Sequence, residues 1–332
     1  MKIVYMGTPD FAVGALRALI RAGHQVAAVV TQPDKPKGRG KEMQMTPVKA
    51  CALEYGIPVF QPVKVRAAEA AETLRGYGAD VFVVAAFGQI LSEEILSMPR
   101  YGCINIHASL LPKYRGSAPI QQVILDGEKE TGVTIMQMDK GIDTGDMLLQ
   151  RAVPIAEKET GDSLHDKLAE TGADLIVEAL RKLEAGELTP QKQNDELSSY
   201  VKMLDKSMGK IDWTKSAAQI ERQVRGLNSW PGTYTSLHGK TLKIWESETV
   251  GDAEKADGAA ENMEDAKKHD ARPAHGAALL PGTVAAVEKG AFYVQTGDGL
   301  LKVTQIQLEG KKRMEVKAFL LGYRLEEGER LA

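Results

Sequence analysis

Hydrophobic positions open the chain as a continuous run, KIVYMG (2–7), and then take helical spacing at Phe11, Leu16, Leu19 and Ile20. That pattern predicts a buried strand, a turn at Gly7-Thr8-Pro9 and a helix. The alternation recurs as a strand at Gln25–Val30, a helix over 47–55, a short strand at Pro58-Val59-Phe60, a helix over 67–76 and an apolar strand at Val81–Ala85. Repeated βα units imply parallel pairing, so the expected class is α/β, a Rossmann-like, doubly wound, mostly parallel sheet. Further strands are predicted around Asn105, over 132–137 and over 147–153, with a helix over 118–126. A long amphipathic helix then carries Leu164, Leu168, Leu175, Ile176, Leu180 and Leu183, with His165 expected on its exposed side.

The pattern changes after residue 184. A polar stretch containing Pro190 reads as a crossing segment, and beyond it TLKIWE, GTVAAVE, AFYVQT and LLKVTQIQL are short strands at regular spacing behind a short helix marked by Ile220, Val224 and Leu227. Such spacing predicts a small β-barrel. Residues 251–278 contain no Leu, Ile, Val or aromatic residue and cannot build a core of their own, so a flexible insertion is expected there. The organisation is therefore a domain over 1–189, a linker over 190–206 and a barrel domain over 207–332 with the insertion at 251–278.

Composition narrows the function classes. At 332 residues the chain suits two domains, and its longest apolar run, Val81 to Phe87, is far too short to cross a bilayer. No leader-like segment precedes the first strand, so a cytoplasmic protein is expected. Cys51 and Cys103 show neither CxxC spacing nor nearby metal-ligand partners, which predicts two buried thiols, no disulfide and no metal site. The opening βα unit lacks the G-x-G-x-x-G of a dinucleotide site. A net charge of −3 excludes a globally basic nucleic-acid binder, yet between Gln32 and Lys49 five basic residues, Lys35, Lys37, Arg39, Lys41 and Lys49, face only Asp34 and Glu42. Prolines and glycines there predict an irregular loop after a strand's carboxyl end, either a solvated face or a contact for a phosphate backbone.

Candidate chemistry centres on GCINIHASLLPKYRGSAP (102–119). In an extended strand Asn105 and His107 share one face while Ile104 and Ile106 share the other, and the strand ends where Ser109 to Pro112 open a loop. Further on, MDKGIDTGDML (138–148) puts Asp143 in a glycine-bracketed loop. It lacks the dense oxygen spacing of a calcium site, so Asp143 reads as the group that orients a base, with Asp146 in a turn. By itself a histidine near a strand end also fits a purely structural role, so the residues leave both readings open. In the catalytic one the amide donates to an oxyanion, and the imidazole moves protons or, when charged, stabilises that oxyanion, its orientation set by the carboxylate. The turn Phe87-Gly88-Gln89-Ile90-Leu91 follows an apolar strand where open α/β sheets bind ligands, although Phe87 and Ile90 alone also fit simple packing.

NIHxSLLPxYRGxxP followed by a D-x-G-D loop resembles the tetrahydrofolate-dependent formyltransferases, over nearly the whole chain outside 251–278. The resemblance implies 10-formyltetrahydrofolate as formyl donor, catalysis by Asn105, His107 and Asp143, and a folate pocket built from Phe87, Gly88, Gln89, Ile90, Leu91, Ser109, Leu110, Leu111 and Pro112. It also implies that Tyr114-Arg115-Gly116 shape the acceptor side, that the second domain is an OB-like barrel, and that no metal takes part. Within the family the GRGK of the basic loop and the added barrel point to tRNA, with the α-amino group of methionine on initiator methionyl-tRNA as acceptor. Arg39 leads the expected contacts, joined by Lys35, Lys37, Lys41 and Lys210, in a protein expected to be monomeric. Two alternatives stay open: a formyltransferase acting on a small amine, which needs no basic loop, and a catalytically silent RNA-binding module, against which the intact triad weighs.

Overall fold

The computed structural model describes residues 1–37, 42–250 and 279–332, and the chain divides into two compact units. The first comprises Met1–Val123, Glu128–Ala156 and Ser163–Met203; the second comprises Ile124–Gly127, Glu157–Asp162 and Leu204–Ala332. The basic-loop residues Arg39 and Lys41 and the expected insertion at 251–278 lie outside the described residues.

In chain order the elements up to Met203 are β1 (Lys2–Gly7), α1 (Phe11–Arg21), β2 (Gln25–Val30), β3 (Lys35–Lys37), β4 (Glu42–Gln44), α2 (Pro47–Glu54), β5 (Val59–Phe60), α3 (Ala68–Gly76), β6 (Val81–Ala85), α4 (Glu93–Leu96), β7 (Cys103–His107), β8 (Arg115–Gly116), α5 (Pro119–Asp126), β9 (Glu130–Gln137), β10 (Met147–Pro154), α6 (Gly161–Glu184) and β11 (Tyr200–Val201). Seven strands form one sheet in the order β10-β9-β7-β6-β1-β2-β5. The neighbours from β7 to β5 run parallel, while β9 lies antiparallel to both β7 and β10. This is the expected doubly wound, mostly parallel arrangement. From β1 the chain moves outward to β2 and β5, then returns to β6 on the other side of β1. The winding therefore reverses between β1 and β6, and at such a reversal the connections leave a crevice outside the strands' carboxyl ends.

The strands beneath this crevice are apolar because both faces are covered; Val81–Ala85 and Cys103–His107 are buried throughout. On one face of β7, Cys103 joins a core with Phe82, Val84, Phe87, Leu91 and Ile95. On the other, Ile106 packs so closely on α6 that a Cβ at Gly172 would stand 2.8 Å from its Cγ2.

Three expectations change. Lys35–Lys37 and Glu42–Gln44 are not irregular but pair as two short antiparallel strands, β3 with β4: Pro36 sits in a two-stranded ribbon, where a missing N–H is tolerated. His165 is half-buried rather than exposed, because its ring packs edge-on against Phe11 at 5.5 Å. The polar segment read as a linker belongs to the first unit as far as Met203, where β11 pairs in parallel with β8.

The second unit contains α7 (Ala217–Gly226), β12 (Thr233–Leu237), β13 (Lys240–Thr249), β14 (Val284–Val287), β15 (Phe292–Gln295), β16 (Leu300–Leu308), β17 (Met314–Glu315) and α8 (Val316–Leu320). Its sheet runs β12-β13-β16-β15-β14, antiparallel throughout, with β17 added to β16. The two end strands are bridged by the last residues of the chain: Ser236 and Ala332 exchange backbone hydrogen bonds, while Val284 and Gly282 pair with Glu329 and Leu331. Both open edges are thereby capped, as a barrel requires. Alternate residues of β13 and β16, including Leu242, Ile244, Leu301 and Val303, fill the core with Ile220 and Val224 of α7. That helix starts at a capping box formed by Ser216 and Gln219.

Candidate active site

The site begins where β7 runs out of core. Cys103, Asn105 and His107 occupy the same face of the strand, and toward its carboxyl end that face changes from thiol to amide to imidazole. Asn105 and His107 are nevertheless buried, at 9% and 5% exposure. The Asn105 amide has no hydrogen-bond partner among the described residues, so its N–H groups are available to a ligand. Its backbone lies beside Val84 of β6, which leads directly into the Phe87 turn.

His107 is held from both sides. Its Nε2 lies 3.0 Å from the backbone carbonyl of Tyr114, and its Nδ1 lies 3.7 Å from Oδ2 of Asp143. A carbonyl only accepts, so the Nε2 hydrogen is donated to Tyr114 and the neutral ring presents its lone pair at Nδ1. Taking a proton there places an imidazolium beside the Asp143 carboxylate. The ring is therefore set to accept a proton on the nitrogen nearest the carboxylate and to return it from the same atom.

Asp143 is itself fixed. It adopts a left-handed backbone, φ 54°; its Oδ2 accepts the Gly116 N–H at 2.8 Å, and its backbone carbonyl accepts Gln193 Nε2 at 2.8 Å. The glycine two residues on is obligatory, because a Cβ at Gly145 would fall 1.8 Å from the Gln137 carbonyl oxygen. Gly116, at φ 108°, approaches Val201 as closely: a Cβ there would meet its carbonyl oxygen at 2.3 Å.

The SLLP loop hangs on Thr134 of β9. The Thr134 hydroxyl donates to the Ser109 carbonyl at 2.7 Å and accepts from Leu111 N–H at 3.1 Å and Gln150 Nε2 at 2.9 Å. Ser109 is fully buried and its hydroxyl donates to the Lys113 carbonyl, so its side chain shapes the loop. Leu111 is buried, with Leu110 and Pro112 half-buried beside it.

Across the crevice, the Phe87–Leu91 turn uses positive φ at Ala86 and Gly88. Thr8 and Gln32 anchor it by donating to the Phe87 carbonyl, and Gln32 also donates to that of Gly88. Gln89 is spent on Val65 N–H and the Pro62 carbonyl. Phe87 and Leu91 are buried while Ile90 is 70% exposed, giving the crevice an apolar lip suited to a flat heteroaromatic ring.

Asn105 and His107 thus come from one strand, β7, and Asp143 from one loop, with Ser109–Pro112 following β7 and Phe87–Leu91 following the neighbouring β6. Lys35 is exposed on β3, Lys37 lies on the same strand, and Lys210 is exposed in the second unit. Sequence reasoning missed Gln193, Asp195, Ser199 and Tyr200. The nearly fully buried Arg115 donates from Nε to Gln193 Oε1 at 2.9 Å, from Nη1 to Tyr200 at 3.1 Å and from Nη2 to Asp195 at 2.7 Å, and Ser199 Oγ accepts the Tyr114 N–H. Burial alone would lower the Arg115 pKa, but its hydrogen bonds to Asp195 and Tyr200 carry it above the ordinary arginine value. The available signal was Arg115 itself: a buried guanidinium needs acceptors, and nothing nearer in sequence supplies them.

Comparison with known proteins gives the family and the fold. Residues 1–180 match the formyl transferase family and residues 203–324 the formyl transferase C-terminal domain. The chain is 51% identical over 328 residues to the methionyl-tRNA formyltransferase of Agathobacter rectalis and 53% identical over 328 residues to that of Lachnospira eligens, in each case covering 99% of this chain and 98% of the relative. Among solved structures, an N-formyltransferase from Helicobacter canadensis, in complex with folinic acid and dTDP-3-aminofucose, shares the fold with a TM-score of 0.64 at 22% identity, covering 92% of this chain and all of that one. HypX from Aquifex aeolicus gives a TM-score of 0.62 at 17% identity, covering 98% of this chain and 49% of that one. With a family match over both halves and relatives of about half-identical sequence along their full length, the chain belongs to the methionyl-tRNA formyltransferase family.

Proposed function

We propose that Asn105, His107 and Asp143 carry the transfer of a formyl group from 10-formyltetrahydrofolate to the α-amino group of methionine on initiator methionyl-tRNA. The observation that carries this reading is the polarity of His107: Nε2 is occupied by the Tyr114 carbonyl, while Nδ1 faces Asp143 on the strand face that holds the unpartnered Asn105 amide. His107 accepts at Nδ1 the proton that the attacking amine must lose, and the resulting imidazolium is stabilised by Asp143. Asn105 donates to the formyl oxygen as negative charge develops there. His107 then returns the proton to the departing folate nitrogen. No side-chain nucleophile is needed, since the amine attacks directly.

The Phe87–Leu91 turn and the Ser109–Pro112 loop flank the folate, Phe87, Ile90, Leu91, Leu110 and Leu111 supplying apolar surface while Ser109 and Gln89 brace the backbone. Lys35, Lys37, Arg39 and Lys41 of the basic sequence stretch and Lys210 of the second unit contact tRNA phosphates. In this reading the chain works as a cytoplasmic monomer. The test is formyl transfer from 10-formyltetrahydrofolate to methionyl-tRNA with free methionine as parallel acceptor and Arg39→Ala beside the wild type. Transfer to charged tRNA alone, weakened in Arg39→Ala chiefly through KM, is expected; equal transfer to free methionine would overturn the acceptor assignment.

A further inference from the structure

Asp143 is the least secured of the three proposed catalytic groups by its own local sequence. Its loop, Gly141 to Gly145, belongs to neither a helix nor a strand, and its left-handed backbone is unfavourable for a non-glycine residue. Locally, Asp139 Oδ1 accepts the Gly141 N–H at 3.0 Å and the Thr144 hydroxyl at 2.7 Å, and neither bond reaches Asp143 itself. A single side chain reaches both of the loop's key carbonyls: Gln193 Nε2 donates to the Asp143 carbonyl at 2.8 Å and to the Gly145 carbonyl at 2.7 Å. Those two bonds use both amide hydrogens. The remaining oxygen, Oε1, accepts Arg115 Nε at 2.9 Å, so the amide cannot rotate without losing all three bonds.

Arg115 is in turn clamped by Tyr200 and Asp195, with its guanidinium stacked 5.6 Å from the Tyr200 ring. The residue after it, Gly116, donates its N–H to the Asp143 carboxylate itself. Backbone and carboxylate of Asp143 are thus tied to the same two-residue strand, the first through Gln193 and Arg115, the second through Gly116. The strand is pinned by β11 and the segment by the paired backbone hydrogen bonds of Gln191 with Met147.

We infer that Gln193, oriented by Arg115, is a positioning residue for catalysis: it fixes the Asp143 loop so that the carboxylate faces His107 Nδ1. The polar segment 191–201 is then a brace for the active site. This inference rests on the Asn105–His107–Asp143 reading above. It differs from a stabilising role because Gln193 acts only through Asp143, and its effect must vanish when Asp143 is already disabled.

The test is a double-mutant cycle on formyl transfer to methionyl-tRNA. Gln193→Met keeps the side chain's length and removes its hydrogen bonds. Gln193→Glu keeps an acceptor for Arg115 and removes the two donated bonds, and serves if the first variant does not fold. Either is expected to lower kcat by about 10- to 100-fold, the scale of a small misplacement of a catalytic group, with KM for both substrates within about twofold. Asp143→Asn is expected to lose about 100-fold or more, and adding Gln193→Met to it is expected to cost less than about a further threefold. Multiplicative losses in the double variant, or a wild-type kcat in a folded Gln193 variant beside an impaired Asp143→Asn, overturn the positioning role alone. A wild-type kcat in Asp143→Asn overturns the triad reading and this inference with it.

Discussion

Cys103 and Asn105 stand one strand repeat apart on the same face of β7, yet one ends a hydrophobic surface and the other begins a reactive one. The difference is what covers them. Cys103 is fully enclosed and its thiol pKa is pushed up to about 12 by burial, so it is an inert part of the core. The sign of its effect on stability follows. Below the ordinary thiol value of 9.0 both folded and unfolded chains hold the proton; between 9.0 and about 12 the unfolded chain releases it first, and stability falls with rising pH. The slope from this one group is at most about 1.4 kcal/mol per pH unit within that window. Cys103→Ala is expected to shallow the alkaline limb of a stability-against-pH curve from pH 9 upward while leaving the neutral region offset by a constant. An unchanged alkaline slope, measured by urea unfolding, contradicts the burial assignment.

At the scale of elements, the strand-and-loop unit at 103–112 was legible because its signals are local. Alternation put Asn105 and His107 together, and Pro112 with the small residues before it ended the strand. Asp143 was legible as a carboxylate between glycines, one of which, Gly145, has no room for a side chain. Segment 191–201 was not legible: QKQNDELSSYV is polar and lies beyond a proline, and its value resides in acceptors for an arginine about eighty residues earlier. Periodicity carries no information about such a pairing. The β3–β4 pairing was hidden by the prolines and glycines of that stretch for the same reason, since it is set by backbone contacts that composition argues against. Thr134 shows how one element holds another. Removing its hydroxyl strands the Ser109 carbonyl and the Leu111 N–H, each costing about 1–3 kcal/mol if buried without a partner. Thr134→Val is therefore expected to loosen the SLLP loop and weaken folate binding by about tenfold, with tRNA affinity unchanged, as read by fluorescence titration with each substrate; an unaltered folate Kd removes the loop from the binding site.

Across the whole molecule the two units solve different problems. The first buries parallel strands on both faces and gathers chemistry where its winding reverses. The second closes a short antiparallel sheet, its C-terminal residues capping β12 and β14. Its outer surface carries Trp245 with Lys243 and Arg313 stacked over the ring at 5.7 and 4.7 Å, an aromatic and cationic combination of the kind that meets nucleic acid. Among the described residues no helix is long and apolar enough to span a membrane. The proposed reading assigns the chemistry to the buried Asn105–His107–Asp143 site of the first unit and not to tRNA affinity, and one measurement addresses that division most directly. Single-turnover formyl transfer from 10-formyltetrahydrofolate to methionyl-tRNA should be compared for the wild type and His107→Ala, with tRNA binding titrated in parallel. The expected result is a rate reduced by about 100-fold or more in His107→Ala with an unchanged Kd for tRNA. A variant that binds as the wild type does and transfers the formyl group at the wild-type rate contradicts the assignment of chemistry to this site.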